Sequence, residues 1–381
     1  MLSAIEKKVQ AGRRITEEDA LRLFESDDIY TLGALASHAA RKKNGRKAYF
    51  IRNRHINPTN ICVNRCKFCA FSRSKGQEGA YELTVNEIIR KIGEGQTKKG
   101  KGRGARDRNN NGPASRHPSP VTHHGISEVH IVGGLHPDWP FEHYLDMVSA
   151  IKKHFPKLHI KAFTAVEIDY FSRISGRPLA DILKALKKGG LGSMPGGGAE
   201  IFSEGIRNKL CPEKIPGERW LEVMEKAHSA GIRTNATMLY GHVESLADRV
   251  DHLSRLRTLQ DRTKGFQAFI PLAYHPRNTE IRGSYTSGID DLRTMAVSRI
   301  FLDNFAHIKA YWIMLGEKIS QLALMFGADD IDGTIIEEKI THSAGALAGE
   351  KLTAEQLVNL IQKTGKTAVE RDSFYRAVRT Y

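Results

Sequence analysis

From residue 51 onward, short apolar segments alternate with amphipathic ones, and this alternation restricts the fold more than any other property of the chain. Strands are expected near "AYFIRNRHINPT", "SEVHIVGG", "IKAFTAVEI", "GLGSMPGG", "RTNATMLYG", "FQAFIPLAY" and "HIKAYWIMLG", with a weaker eighth around "DGTIIEE". Helical periodicity lies between them, as in "TVNEIIRKIGEG", "FEHYLDMVSAIKKHF", "LADILKALKKGG" and "ERWLEVMEKAHSAG". Strands joined through helices imply a parallel sheet. Seven or eight such units fit an α/β fold of the (β/α) TIM-barrel type better than an open doubly wound sheet.

The flanks read differently. "ITEEDALRLFES" places Thr16 and Asp19 at capping-box spacing, and "DDIYTLGALASHAARKKNG" begins on Asp and stops on Gly. An N-terminal helical extension is therefore expected over 1–48, the barrel over 49–350, and a C-terminal segment of one or two closing helices over 351–381.

The net charge is +15, which raises nucleic acid as a partner. Its distribution argues against one. Residues 97–125 hold seven Lys/Arg against Asp107 alone, so this segment carries +6 and leaves +9 for everything else. It is poor in apolar residues and has no aromatic side chain apart from His, so a disordered basic insertion is expected rather than an RNA-binding surface. No run of eighteen apolar residues suggests a membrane span. The first residues are charged and lack a signal-peptide core, which points to the cytoplasm.

In a (β/α) barrel the chemistry sits where strands end. Three of the four cysteines fall there within eight residues, in "NPTNICVNRCKFCAF". Close-set thiols in a reducing compartment point to metal or redox chemistry rather than a disulfide. Structural zinc wants four ligands, and His55 lies seven residues upstream of Cys62 on an expected strand. A ferredoxin-type electron carrier wants a fourth cysteine with its own spacing. Cys211, in "KLCPEK", reads as an ordinary thiol. The economical solution is a 4Fe–4S cluster on Cys62, Cys66 and Cys69, with one iron left open.

C-x3-C-x2-C with an aromatic residue before the last cysteine resembles the hallmark of the radical S-adenosylmethionine (SAM) superfamily, and Phe68 matches the aromatic position. Within it, "SMPGGGAEIF", "TNATMLYGH" and "GADDIDGTIIEEKITHSAGA" resemble the futalosine-pathway enzymes of menaquinone biosynthesis, and among them the aminofutalosine (aminodeoxyfutalosine) synthases. The resemblance covers about residues 1–96 and 126–381. It implies that the open iron binds the amino and carboxyl groups of SAM, that Phe68 lies beside the adenine, and that one electron releases a 5′-deoxyadenosyl radical. The electron would come from a carrier such as flavodoxin or ferredoxin. Backbone groups of Gly133 and Gly134 are expected to receive the SAM amino group, although Leu135 stands where the superfamily often has Glu. Glu167 is expected at the end of its strand, either as a partner for ribose hydroxyls or as a salt-bridged barrel residue, and "PGGGAE" either as a plain glycine turn or as one allowing close backbone approach to SAM.

The reaction implied is addition of the adenosyl radical to 3-[(1-carboxyvinyl)oxy]benzoate. Aryl migration and decarboxylation then give 6-amino-6-deoxyfutalosine, methionine and bicarbonate. SAM is a consumed co-substrate in this scheme. The same-class alternatives are dehypoxanthine futalosine cyclase and the deazaflavin-forming synthases; an RNA-binding or RNA-modifying protein is the different-class alternative. His242, His275 and His342 are candidate substrate contacts, although histidines in such positions are more often buried or turn residues.

Overall fold

The computed structural model describes residues 2–96 and 125–381. The expected basic insertion lies outside the described residues, apart from Gly125. Eleven strands are described: β1 (Lys47–Ile51), β2 (Asn53–Ile56), β3 (Glu128–Ile131), β4 (His159–Ala162), β5 (Leu191–Met194), β6 (Arg233–Tyr240), β7 (Phe266–Ala273), β8 (His307–Ile308), β9 (Asp330–Gly333), β10 (Thr367–Arg371) and β11 (Ala377–Thr380).

Strands β2 to β8 form one seven-stranded sheet in chain order, with every neighbouring pair parallel. Side chains alternate across a strand, and the two faces differ in chemistry. Val129, Ile131, Ile160, Ala162, Ala236, Met238 and Phe269 are buried in the apolar core. Their neighbours Glu128, His130, Lys161, Asn235, Thr237 and Ile270 line the central cavity instead. The first set faces the helices and the second faces inward, so the sheet curls into a partial barrel whose lumen carries charged and polar side chains among apolar ones.

The seam between β8 and β2 is filled by β9. Asp329 N–H donates to the Ile308 carbonyl at 3.0 Å and Ala310 N–H to the Asp330 carbonyl at 2.8 Å. On the other side, Thr334 N–H donates to Ile51 O at 3.1 Å, and His55 N–H to Ile336 O at 3.2 Å. β9 itself belongs to a second sheet, ordered β11-β10-β1-β9.

Three expectations require correction. The single first strand is two, because the chain leaves one sheet at Ile51 and joins the other at Asn53. The seventh strand stops at Ile308, and "WIML" opens the helix Trp312–Ala323, since a continuous apolar run fits a buried helix as well as a strand. The C-terminal segment holds one helix, Ala354–Gln362, followed by a β-hairpin. Gly365 at φ 73 ends the helical path, and "TAVE" pairs parallel with β1. That partner lies some 320 positions upstream, beyond the reach of local patterning.

The N-terminal helices form as read. Thr16 accepts from Asp19 N–H while Asp19 accepts from Thr16 N–H, a reciprocal cap worth about 1 kcal/mol. Asp28 caps the helix Ile29–Asn44, and Gly45 follows it. Arg14 ties this region to the barrel through Asp261 at 2.6 Å and Asp303 at 2.9 Å. Among the described residues, no helix is long and apolar enough to cross a membrane.

Candidate active site

The curled sheet encloses a cavity of about 330 Å³. Loops at the C-terminal ends of the strands bring the residues singled out from the sequence to its wall: Cys62, Cys66, Phe68 and Cys69 after β2, Gly133 and Gly134 after β3, and Glu167 after β4. Another groove, of about 410 Å³, lies beside Arg46 and Lys366, at the opposite strand ends and away from the cysteines.

The cysteine loop is pinned on three sides. Its own ends bridge, with Cys62 N–H donating to Arg73 O at 3.1 Å and Arg73 N–H to Asn60 O at 2.8 Å. Lys67 N–H reaches Leu210 O at 2.8 Å, and Val63 N–H reaches Leu135 O at 3.0 Å. Under the loop sits the glycine pair. Gly134 N–H donates to Thr59 O at 2.9 Å, and a Cβ at Gly134 would stand 2.1 Å from Ile61 O. Only glycine permits that approach. Gly133 N–H donates to Glu167 at 3.3 Å. With both N–H groups engaged, carbonyl oxygens are what the pair can offer to an ammonium group.

Glu167 is not at a strand end as expected. Phe163, at φ 62, turns the chain out of β4, and Thr164 caps the helix Ala165–Ser175 with Glu167 in its first turn. The carboxylate accepts from Thr164 N–H at 2.7 Å and Thr164 Oγ at 2.8 Å as well as from Gly133. Burial nonetheless pushes it up to about 7. A cation arriving in the cavity would favour its charged form.

All four cysteines are free. Burial pushes the Cys62 thiol up. The neighbouring Cys211 and burial push the Cys66 thiol up, whereas Cys66 draws Cys211 down to about 7. Cys211 is therefore less ordinary than the sequence suggests: it ends the helix Glu204–Leu210, is buried, and touches a cavity cysteine without lining the cavity itself. Lys214 stands beside this pair. It binds Glu200 at 2.6 Å and lies 5.0 Å from the Phe68 ring centre. Burial works to lower Lys214, but Cys66, Glu200 and Cys211 outweigh it and keep the ammonium charged.

Among the described residues, no three His, Cys, Asp or Glu side chains converge as a single metal ion would need. A cluster is a different demand, because its irons spread over several ångströms and each thiolate meets its own iron. Three thiols on one pinned loop, facing one cavity, with a lysine to offset thiolate charge, fit that demand.

The histidines divide. His242 Nε2 donates to Leu239 O while Nδ1 accepts from Val243 N–H beside Glu244, a turn role away from the cavity wall. His342 pairs with Glu338 and Ala348 O and is likewise off the wall. His275 lines the cavity, with Nε2 on Met314 O and Nδ1 unpartnered. The sequence reading missed the inner polar set: His130, Glu128, Lys161, Lys309, Asp332, Glu200 and Lys214. For Glu128, His130, Lys161 and Asp332 the signal was a titratable residue inside a short apolar strand; Lys309, Glu200 and Lys214 lie outside the strands and carried no such signal.

A partial barrel with a three-cysteine loop over its mouth defines a class. A radical SAM superfamily model matches residues 56–104 and 121–256, and a CofH/MqnC C-terminal region model matches 263–380. The chain belongs to the radical SAM superfamily, and its cofactors are a 4Fe–4S cluster and SAM. The aminodeoxyfutalosine synthase of Thermus thermophilus is 43% identical, over 100% of this chain and 96% of that protein. The 5-amino-6-(D-ribitylamino)uracil--L-tyrosine 4-hydroxyphenyl transferase of Methanopyrus kandleri is 39% identical, over 91% and 89%. The crystal structure of methylornithine synthase shares the fold, with a TM-score of 0.71 over 95% of this chain and 96% of that one, at 15% identity. The chain is thus an enzyme of this superfamily.

Proposed function

We propose that this enzyme joins the 5′-deoxyadenosyl group of SAM to 3-[(1-carboxyvinyl)oxy]benzoate, yielding 6-amino-6-deoxyfutalosine, methionine and bicarbonate for menaquinone synthesis. The observation that carries the reading is the full-length 43% identity to an aminodeoxyfutalosine synthase. Bound to the protein, the cluster supplies the single electron that opens the SAM sulfonium, and a carrier such as flavodoxin or ferredoxin refills it.

The chain's own residues hold and shield. Cys62, Cys66 and Cys69 are the cluster ligands in this reading, and the loop's hydrogen bonds to Arg73, Leu135 and Leu210 fix their spacing. Lys214 offsets their charge. Carbonyls of Gly133 and Gly134 receive the SAM ammonium, Phe68 packs on the adenine, and Glu167 takes the ribose hydroxyls. Leu239, Ile270, Leu272 and Tyr311 line the remaining wall and exclude water from a radical that water and stray hydrogen donors would divert. The free thiols suit a cytoplasmic setting.

A cyclase or a deazaflavin-forming activity is the second reading, supported by the 39% identity to the hydroxyphenyl transferase. The anaerobically reconstituted enzyme, given SAM, dithionite and each family substrate in turn, separates them. The synthase reading expects turnover with the enolpyruvyl benzoate alone. Turnover only with dehypoxanthine futalosine, or with tyrosine and the ribitylaminouracil, would replace it.

A further inference from the structure

The inner end of the cavity lies away from the cysteine loop and is made of polar side chains. Along β3 the inward residues are Glu128, His130 and Val132, and the glycine pair beside Cys62 follows. At about 3.3 Å per residue, His130 lies roughly 13 Å of chain below Gly134, and Glu128 lies lower still. His55 on β2 is in register with His130, and their rings meet edge to face at 4.5 Å.

Nε2 of His55 and Nε2 of His130 are both buried without a hydrogen-bond partner, and both residues line the cavity. His55 is only 5% exposed. Buried polar groups are otherwise paired, so two unpaired imidazole nitrogens on neighbouring cavity-lining residues point to a ligand that completes them. Two ion pairs flank the histidines. Lys161 binds both oxygens of Glu128, at 2.8 and 3.0 Å, and Lys309 binds Asp332 at 2.8 Å. Asp332 sits at φ 70, in the left-handed region. An ammonium has three donors, so Lys309 keeps donors beyond its bond to Asp332.

We propose that this inner end is an aryl-carboxylate subsite, in which Nε2–H of His55 and of His130 donate to the ring carboxylate of the enolpyruvyl benzoate, with Lys309 as the nearby positive charge. The proposal rests on the synthase reading. The enolpyruvyl methylene must meet the 5′ carbon of SAM near the cysteine loop, which sends the aromatic end inward. The ring carboxylate also survives into the product, whereas the enolpyruvyl carboxylate leaves as bicarbonate, so an anchor on the ring can act throughout the reaction. Burial keeps both imidazoles neutral. Each then offers one N–H without adding a charge that would need its own counter-ion.

Binding of 3-[(1-carboxyvinyl)oxy]benzoate and of its ring carboxamide, which is isosteric and uncharged, is measured calorimetrically on the anaerobic holoenzyme with SAM. The wild type should prefer the acid by about ten- to a hundred-fold, the range for hydrogen bonds to a charged group. His55→Phe and His130→Phe should each weaken acid binding while leaving amide binding nearly unchanged. His130→Gln, which restores an N–H donor, should recover part of the preference. Iron content and melting temperature show that each variant is folded and loaded. Should wild type bind neither compound, the synthase reading itself falls. Should wild type prefer the acid while both Phe variants keep that preference, the carboxylate is held elsewhere and the subsite is wrong.

Discussion

Replacing Gly134 with alanine tests the cysteine loop without touching a cysteine. The added Cβ would stand 2.1 Å from Ile61 O, 2.7 Å from Ile61 C and 3.1 Å from Cys62 Cβ. The nearest atoms belong to backbone, so no rotamer change relieves the overlap. Opening 2.1 Å to an ordinary 3.4 Å contact moves the peptide before Cys62 by 1.3 Å. Overpacking of this kind costs about 1–3 kcal/mol, which a large barrel survives. Ligand placement is less forgiving, because a bound group needs its donors within about 0.5 Å. Gly133 provides the control: its Cβ would lie 3.1 Å from Thr59 O and 3.3 Å from Pro58 Cδ, a crowding that small adjustments absorb. After anaerobic reconstitution, Gly134→Ala should be folded, melt a few degrees lower and hold less than half the wild-type iron. Gly133→Ala should hold nearly all of it. Equal iron in Gly134→Ala and wild type would refute the view that this contact sets the loop.

Cys62→Ala, Cys66→Ala and Cys69→Ala should each lower iron content and abolish SAM cleavage, whereas Cys211→Ala should keep both; iron and methionine assays decide. Lys214→Met leaves Glu200, about nine-tenths buried, without its partner. Breaking such a pair costs about 3–5 kcal/mol, so the melting temperature should drop, and the added change Glu200→Gln should restore part of it. His342 is raised to about 9, first by its hydrogen bond to Glu338, so its stabilising contribution is complete below about 6.5 and is lost as pH rises through 9. Corrected for the base-catalysed intrinsic rate, hydrogen-exchange protection in residues 338–346 should fall between pH 7 and 10 in wild type, and His342→Gln should remove that loss of protection.

Much of the barrel was legible because its strands carry local signatures. "SEVHIVGG" and "RTNATMLYG" alternate cleanly, and turn residues bound them, so their limits fall within a few positions of β3 and β6. The cysteine loop was legible from spacing alone. The departures share one cause, which is long-range pairing. β1 and β10 are joined across almost the whole described chain, and neither reads locally as part of a second sheet. Glu167 was placed on a strand although "TAVE" carries the Thr-x-x-Glu capping box; the helix start was present in the sequence and was outweighed by the apolar run before it. Lys161 and Lys309 were passed over because a lysine in or beside a short strand is commonly exposed. Only the curl of the sheet puts them inside, where Glu128 and Asp332 meet them.

The central claim is that the adenosyl group ends up inside the product. SAM labelled at its 5′ carbon, incubated anaerobically with the reconstituted enzyme, a reductant and 3-[(1-carboxyvinyl)oxy]benzoate, tests it directly by mass spectrometry. The account predicts the label in an adenine–benzoate conjugate, with methionine released in equal amount. Label recovered entirely in 5′-deoxyadenosine, with the cluster loaded and the substrate bound, would contradict the synthase assignment and make a hydrogen-abstracting reaction on a different substrate the better reading.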